Sequence, residues 1–144
     1  MSLSTEQLNR CIATLESSLR LLQGVSSHSI EYEVFRNAVI KGFELTLETS
    51  GKLLRRALKD FGGNPRQVDQ LIYKDLLRQA GKYGLMDTDA IERWFSYRDN
   101  RNTTAHDYGE GFAEETLKIL PNFIQDAQKL SQTLGERFSG SNDT

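Results

Sequence analysis

The run from Ile30 to Phe61 constrains the fold most. It holds no proline, and Tyr32, Phe35, Val39, Phe43, Leu47, Leu54, Leu58 and Phe61 keep a coiled-coil-like register along one helical face. A helix of about 32 residues rising ~1.5 Å each spans roughly 48 Å. Such a helix cannot bury its apolar stripe alone. It needs a long partner, in an antiparallel bundle or across a dimer. Gly42, Ser50 and Gly51 interrupt its interior. Glycine costs about 1 kcal/mol there, so another helix is expected to pack closely at these positions.

The rest of the chain is patterned to match. Residues 4–23 predict a first helix, with Ser4 and Gln7 as a capping box and Leu8, Ile12, Leu15, Leu19 and Leu22 on one face. Gly24 ends it, and His28 falls in a short exposed loop with no role assigned. After Gly62-Gly63, Asn64 is a good N-cap and Pro65 a good first helical residue. The third helix is expected to run to about Tyr83, with Val68, Leu71, Ile72, Leu76 and Ala80 inward and Gly84 as its C-cap. Asp87 caps a fourth helix anchored by Ile91, Trp94 and Phe95, which carries Arg98 and Arg101 and ends near residues 104–106. Trp94 and Tyr97 are expected in the core or an interface, not as a base-stacking platform. A fifth helix, from about Gly111 to Phe138, is expected to kink at Pro121. The expectation is an all-α antiparallel bundle of about five helices in one domain over residues 1–138, with residues 139–144 a disordered tail.

Composition narrows the function classes. At 144 residues the chain can bury a core without staples. One cysteine, Cys11, excludes an internal disulfide and is expected to be a small core residue. Without a signal-peptide pattern or a membrane-length apolar run, the cytoplasm is the expected location and no membrane the expectation. A net charge of −2 argues against a general polyanion binder with a basic face, so DNA is not expected, but leaves a local basic site open. No metal-ligand spacing and no Gly-rich phosphate loop stand out, so neither a metal nor a cofactor is expected.

Residues 94–108, Trp-Phe-Ser-Tyr-Arg-Asp-Asn-Arg-Asn-Thr-Thr-Ala-His-Asp-Tyr, gather the polar chemistry. Arg101 and His106 enclose four residues, and Tyr108 follows. A guanidinium fork matches phosphate oxygens, and an imidazole gives or takes a proton near neutral pH. On spacing alone the alternative is a polar helix end, with Arg101 solvated and His106 near the last carbonyls. On a helix, positions five apart lie about 140° apart. His106 is therefore expected just past the helix end and bent back toward Arg101. On the long helix, Glu44, Glu48 and Lys52 follow at four-residue steps. They are either a solvated face or, with Arg98, contacts to a groove or partner.

Taken in order, these residues resemble the HEPN proteins, in the branch of nucleotidyltransferase substrate-binding proteins. That signature is Arg, four to six residues, then His, with Asn directly after the Arg; here Arg101-Asn102 and His106, extended by Tyr108. Phe43-Glu44, Glu48 and Lys52, then Asn64-Pro65-Arg66, Gly84-Leu85-Met86 and Trp94 match the branch's pattern in order. Gly51 departs from it, standing where an aromatic residue is common; Ala105 and Asp107 replace the more usual Ser and Thr. The resemblance implies an up-and-down helical bundle that forms a homodimer, with Arg-His motifs meeting at a composite cleft. It implies a metal-independent endoribonuclease toxin, with Arg101, Asn102 and His106 catalytic. The cognate minimal nucleotidyltransferase, as antitoxin, would silence it by transferring AMP to Tyr108. The alternative is a non-catalytic subunit that binds substrate or nucleotide for that nucleotidyltransferase.

Overall fold

The computed structural model describes residues 3–104 and 110–139. Among these it has six helices: α1 (Glu6–Gln23), α2 (Ile30–Asp60), α3 (Pro65–Gln70), α4 (Tyr73–Lys82), α5 (Thr88–Thr104) and α6 (Glu110–Ser139). None of them is long and apolar enough to cross a membrane. The long helix expected from the unbroken run is α2, and it contacts every other helix of the bundle.

Side-chain contacts fix the helix directions. On α1 and α2, Leu15 meets Gly42 and Cys11 meets Thr49, so the two run antiparallel. A Cβ added to Gly42 would lie 3.2 Å from Leu15 Cδ1, and Ser50 is fully buried. The close approach expected at Gly42 and Ser50 is there; at Gly51 an added Cβ would meet only Tyr73 Cε1, at an ordinary 3.9 Å. On α5 and α6, Arg93 meets Asp126 and Asn100 meets Thr116, again antiparallel. Phe43 of α2 and Phe61, the residue that caps its C-terminus, meet Phe123 and Phe138 of α6, a parallel pair. Helices α1, α2, α5 and α6 thus make an up-and-down four-helix bundle, the arrangement the resemblance implies. The short α4 lies beside α2 and α5.

Aromatic rings join α2, α5 and α6. Phe43, Trp94 and Phe123 are at most 1% exposed. Phe123 takes Phe43 edge-on at 4.7 Å, Tyr97 at 5.0 Å and Trp94 at 5.7 Å, the offset geometry that ring quadrupoles favour. Trp94 and Tyr97 are core residues, as expected.

Three local expectations are corrected. The Ser4–Gln7 capping box does not form: the N-cap is Thr5, without a side-chain cap, and Ser4 Oγ accepts only from the Glu6 N–H at 3.3 Å. Ser139 belongs to α6, and the rest of the expected tail, residues 140–144, lies outside the described residues. The third correction matters most. The segment from Pro65 to Tyr83 is two helices, broken at Leu71 and Ile72, both in extended conformation (ψ 129° and 160°). Arg55 of α2 donates Nη1 to the Val68 carbonyl and Nη2 to the Leu71 carbonyl, each at 2.8 Å. A continuous helix would aim those carbonyls at the N–H groups of Ile72 and Asp75. Ile72, expected inward, is 64% exposed at the break. Asn64 does cap α3, accepting from the Arg66 and Gln67 N–H groups, and Asp87 Oδ1 accepts from the Ala90 N–H at 2.8 Å at the start of α5. Gly84 follows the end of α4 with φ +77°, a left-handed conformation that glycine adopts at little cost.

Candidate functional site

The break between α3 and α4 sets up a cleft. By holding the Leu71 carbonyl, Arg55 fixes where α4 begins, and Tyr73 is its first residue. Tyr73 then lies against α2 at Gly51 and against α5 at Phe95, whose ring meets it edge-on at 6.5 Å. On α2, Glu48, Gly51, Lys52 and Arg55 fall within an arc of about 100°. On α5, Arg98 and Arg101 are three apart and share a face. These faces close a cleft of about 310 Å³ over an apolar floor of Leu47, Leu76 and the Tyr73 ring.

Its electrostatics reverse those of the whole chain. Among the described residues, Lys52, Arg55, Arg98 and Arg101 line it against a single acid, Glu48, whereas the chain carries −2 overall. Arg55 is occupied with its two carbonyls. Lys52 lies 3.3 Å from Glu48, both exposed, a pair worth a few tenths of a kcal/mol at about 4 Å or less. The Arg98 guanidinium carbon sits 4.7 Å from the Tyr73 ring centroid, a cation–π contact. Among the described residues, no ion pair involves Arg98 or Arg101. Arg101 lies in the last described turn of α5, where the helix dipole favours a cation even without a ligand. Tyr73 Oη is buried and has no hydrogen-bond partner among the described residues. Burial raises the Tyr73 phenol pKa above its ordinary value, against the opposing pull of Arg98, so at neutral pH it is an O–H donor.

The structure thus brings together Glu48, Lys52, Arg98 and Arg101, four of the residues singled out from sequence and separated by about fifty positions. Glu44 is not among them. It lines a separate depression with Arg36, Asn37, Ile40 and Lys41, one helical turn, about 5–6 Å, further back along α2. His106 and Tyr108 lie outside the described residues, as does the Asn102 side chain. Sequence reasoning missed Arg55 and Tyr73. Arg55 continues the Glu48–Lys52 face and was findable by helical geometry. Tyr73 had no local signal, because the break in the helix brings it to the site. Asp126, only 9% exposed, was missed too. It accepts Arg93 Nε at 2.8 Å, Arg93 Nη2 at 2.9 Å and the Tyr97 hydroxyl at 2.5 Å, pinning α5 to α6 behind the cleft. An acid among Phe123, Ile124, Ala127 and Leu130 was its available signal.

Chemically, the cleft can hold an anion by the Arg101 and Arg98 forks and the Lys52 ammonium. The only described carboxylate in it, Glu48, is engaged by Lys52, so a proton-transfer group has to come from elsewhere in the chain or from a second chain.

Comparison with known proteins agrees with this architecture. Residues 3–136 match the family described as nucleotidyltransferase substrate binding protein like. The chain is 29% identical over 109 residues to a protein of Haemophilus influenzae named "probable ribonuclease HepT", spanning 76% of this chain and 73% of that protein. A solved Haemophilus influenzae structure, described as the fold of a substrate-binding domain of a nucleotidyltransferase, superposes with a TM-score of 0.79 at 25% identity, covering 91% of this chain and 98% of that one. A Shewanella oneidensis HEPN toxin, tri-AMPylated and in complex with an MNT antitoxin, has the same fold: TM-score 0.63, 14% identity, 92% of this chain and 99% of that one. The chain belongs to the family of nucleotidyltransferase substrate binding protein like proteins.

Proposed function

We propose that this protein is the toxin of a toxin–antitoxin pair, a metal-independent endoribonuclease that works as a homodimer in the cytoplasm. RNA cleavage without metal needs a base for the 2′-OH, an acid for the leaving 5′-oxygen and positive charge on the phosphorane. His106 supplies base and acid, one from each chain. Arg101 holds the phosphate and Asn102 orients it. The observation that carries the reading is the convergence of Arg101 and Arg98 with Lys52 on one cationic cleft in an acidic chain. The HepT relative's name and the fold shared with a HEPN toxin support it. A minimal nucleotidyltransferase silences the site by transferring AMP to Tyr108. The adduct adds charge and bulk that compete with RNA for Arg101.

Purified protein incubated with cellular RNA in chelator, beside His106→Ala, tests this. Cleavage by the wild type alone is expected. Cleavage by both, or growth inhibition that survives both His106→Ala and Arg101→Ala, overturns it. Tyr108→Phe should stay toxic and resist AMP transfer; an adduct found elsewhere on that variant would reassign the modified residue.

The second reading is a non-catalytic subunit that binds substrate or nucleotide for a nucleotidyltransferase, and the family's own description favours it. It predicts saturable nucleotide or partner binding and no RNA cleavage. Intact mass separates it from a silenced toxin: a bare, inactive chain supports the subunit, an AMP-sized adduct the toxin.

A further inference from the structure

Three cations explain how the cleft would hold a phosphate. They do not explain its apolar floor or the Tyr73 hydroxyl. Leu47, Leu76 and the Tyr73 ring form that floor. Beside it α2 presents Gly51, where an added Cβ would meet only Tyr73 Cε1, at 3.9 Å. Cε1 adjoins the carbon that bears the hydroxyl, so the phenol end of the ring lies near Gly51. The hydroxyl is buried, protonated and without a partner among the described residues. Buried hydroxyls are nearly always hydrogen-bonded, and leaving one unpaired is costly. A cavity of about 310 Å³ sits at the small end of ligand pockets, suited to one nucleotide and not to a duplex.

The geometry points to a pocket for one unstacked nucleobase, seated on the apolar floor beside Gly51, with a base-edge acceptor on Tyr73 Oη and the adjoining phosphate on Lys52, Arg98 and Arg101. Single-stranded RNA is read in this way, through splayed bases whose edges meet fixed donors. In the free protein the hydroxyl is shielded from water. Arg98 rests on the Tyr73 ring. A phosphate offers it charge-assisted hydrogen bonds stronger than a cation–π contact at a half-exposed site. Arg98 then leaves the ring for the phosphate, and the base reaches the hydroxyl. The inference rests on the cleft being an RNA site, but it concerns binding and not cleavage.

The test uses full-length protein carrying His106→Ala and a fluorescein-labelled RNA pentanucleotide, against the same strand with an abasic central residue. Anisotropy should show about tenfold tighter binding of the intact strand, the size of one base's contacts. Gly51→Phe, which a helix tolerates better than glycine, should fill the pocket and bring the intact strand to the abasic affinity. Tyr73→Phe should narrow the differences among strands with different central bases without lowering the melting temperature, because an unpaired hydroxyl is removed. Equal binding of intact and abasic strands, or no effect of Gly51→Phe, overturns the pocket. Base-dependent binding by a protein whose wild type, shown by intact mass to carry no AMP adduct, never cleaves RNA would keep the pocket and overturn the nuclease. Cleavage without base dependence would do the reverse.

Discussion

Tyr97 of α5 buries its phenol against α6, Tyr73 of α4 buries its own against α5, and the two are finished differently. The Tyr97 hydroxyl donates to Asp126 at 2.5 Å, and Asp126 is held in turn by both Arg93 nitrogens. The Tyr73 hydroxyl has no partner among the described residues, and the nearby Arg98 rests on its ring. On the α6 side, donors and acceptors are matched and the aromatic rings interlock. On the α2–α4 side, cations gather around a cavity. Buried polar groups that find partners hold a fold; those left without them in a native structure call for a ligand or a change of state. One side of α5 is built for stability, and the other leaves polar groups without partners among the described residues, as the proposed ligand site requires.

That contrast can be broken by substitution. Arg101→Ala should slow RNA cleavage by about 10²–10³ while changing stability by less than about 0.5 kcal/mol, because it removes charge from the phosphate site and little packing. A melting point that falls with activity would place Arg101 on the structural side. Asp126→Ala should do the opposite. It strands Arg93 and the Tyr97 hydroxyl and should cost about 3 kcal/mol, lowering the melting temperature by about 10 °C in a circular-dichroism melt. Tyr97→Phe should cost about 1.5 kcal/mol by removing one charge-assisted hydrogen bond. Tyr73→Phe, the same change across the helix, should cost nothing or stabilise by up to about 1 kcal/mol. Equal losses from the two would erase the distinction.

The smallest effect is on pH. Burial raises both phenol pKa values in the folded protein, and for Tyr97 the bond to Asp126 adds to it. Below about pH 10, phenols are protonated in folded and unfolded chains alike. Above it the unfolded chain loses protons that the folded chain retains, so stability falls as pH rises. Denaturant titrations at about pH 9 and about pH 11 should show the decline, and each Tyr→Phe variant should reduce it.

The long-range order of this fold was written in local pattern. Apolar spacing along 30–61 and 112–134 sufficed for α2 and α6, and Trp94 and Tyr97 were legible as core. The break at Leu71–Ile72 was not, because its cause is tertiary: Arg55, on another helix, takes the carbonyls that would have continued α3. Everything that depends on the break was hidden with it, including Tyr73 at the site and Ile72 at the surface. Glu48, Lys52, Arg98 and Arg101 were legible because charged residues recurring on one helical face keep that face once the helix forms. Glu44 shares the face of α2 but lies a turn away from the level where α4 and α5 close the cleft.

In the proposed site, residues of α2 and α5 serve one ligand. A double-mutant cycle tests it: Lys52→Met, Arg101→Ala and the pair, each in the His106→Ala background, with RNA pentanucleotide affinity as the readout. If both cations hold one bound strand at one site, the pair should lose less than the sum of the single losses, by at least about 0.5 kcal/mol. Losses that add within error, or a Lys52→Met variant that binds like its parent, would mean that the two helices line a cavity without sharing a ligand.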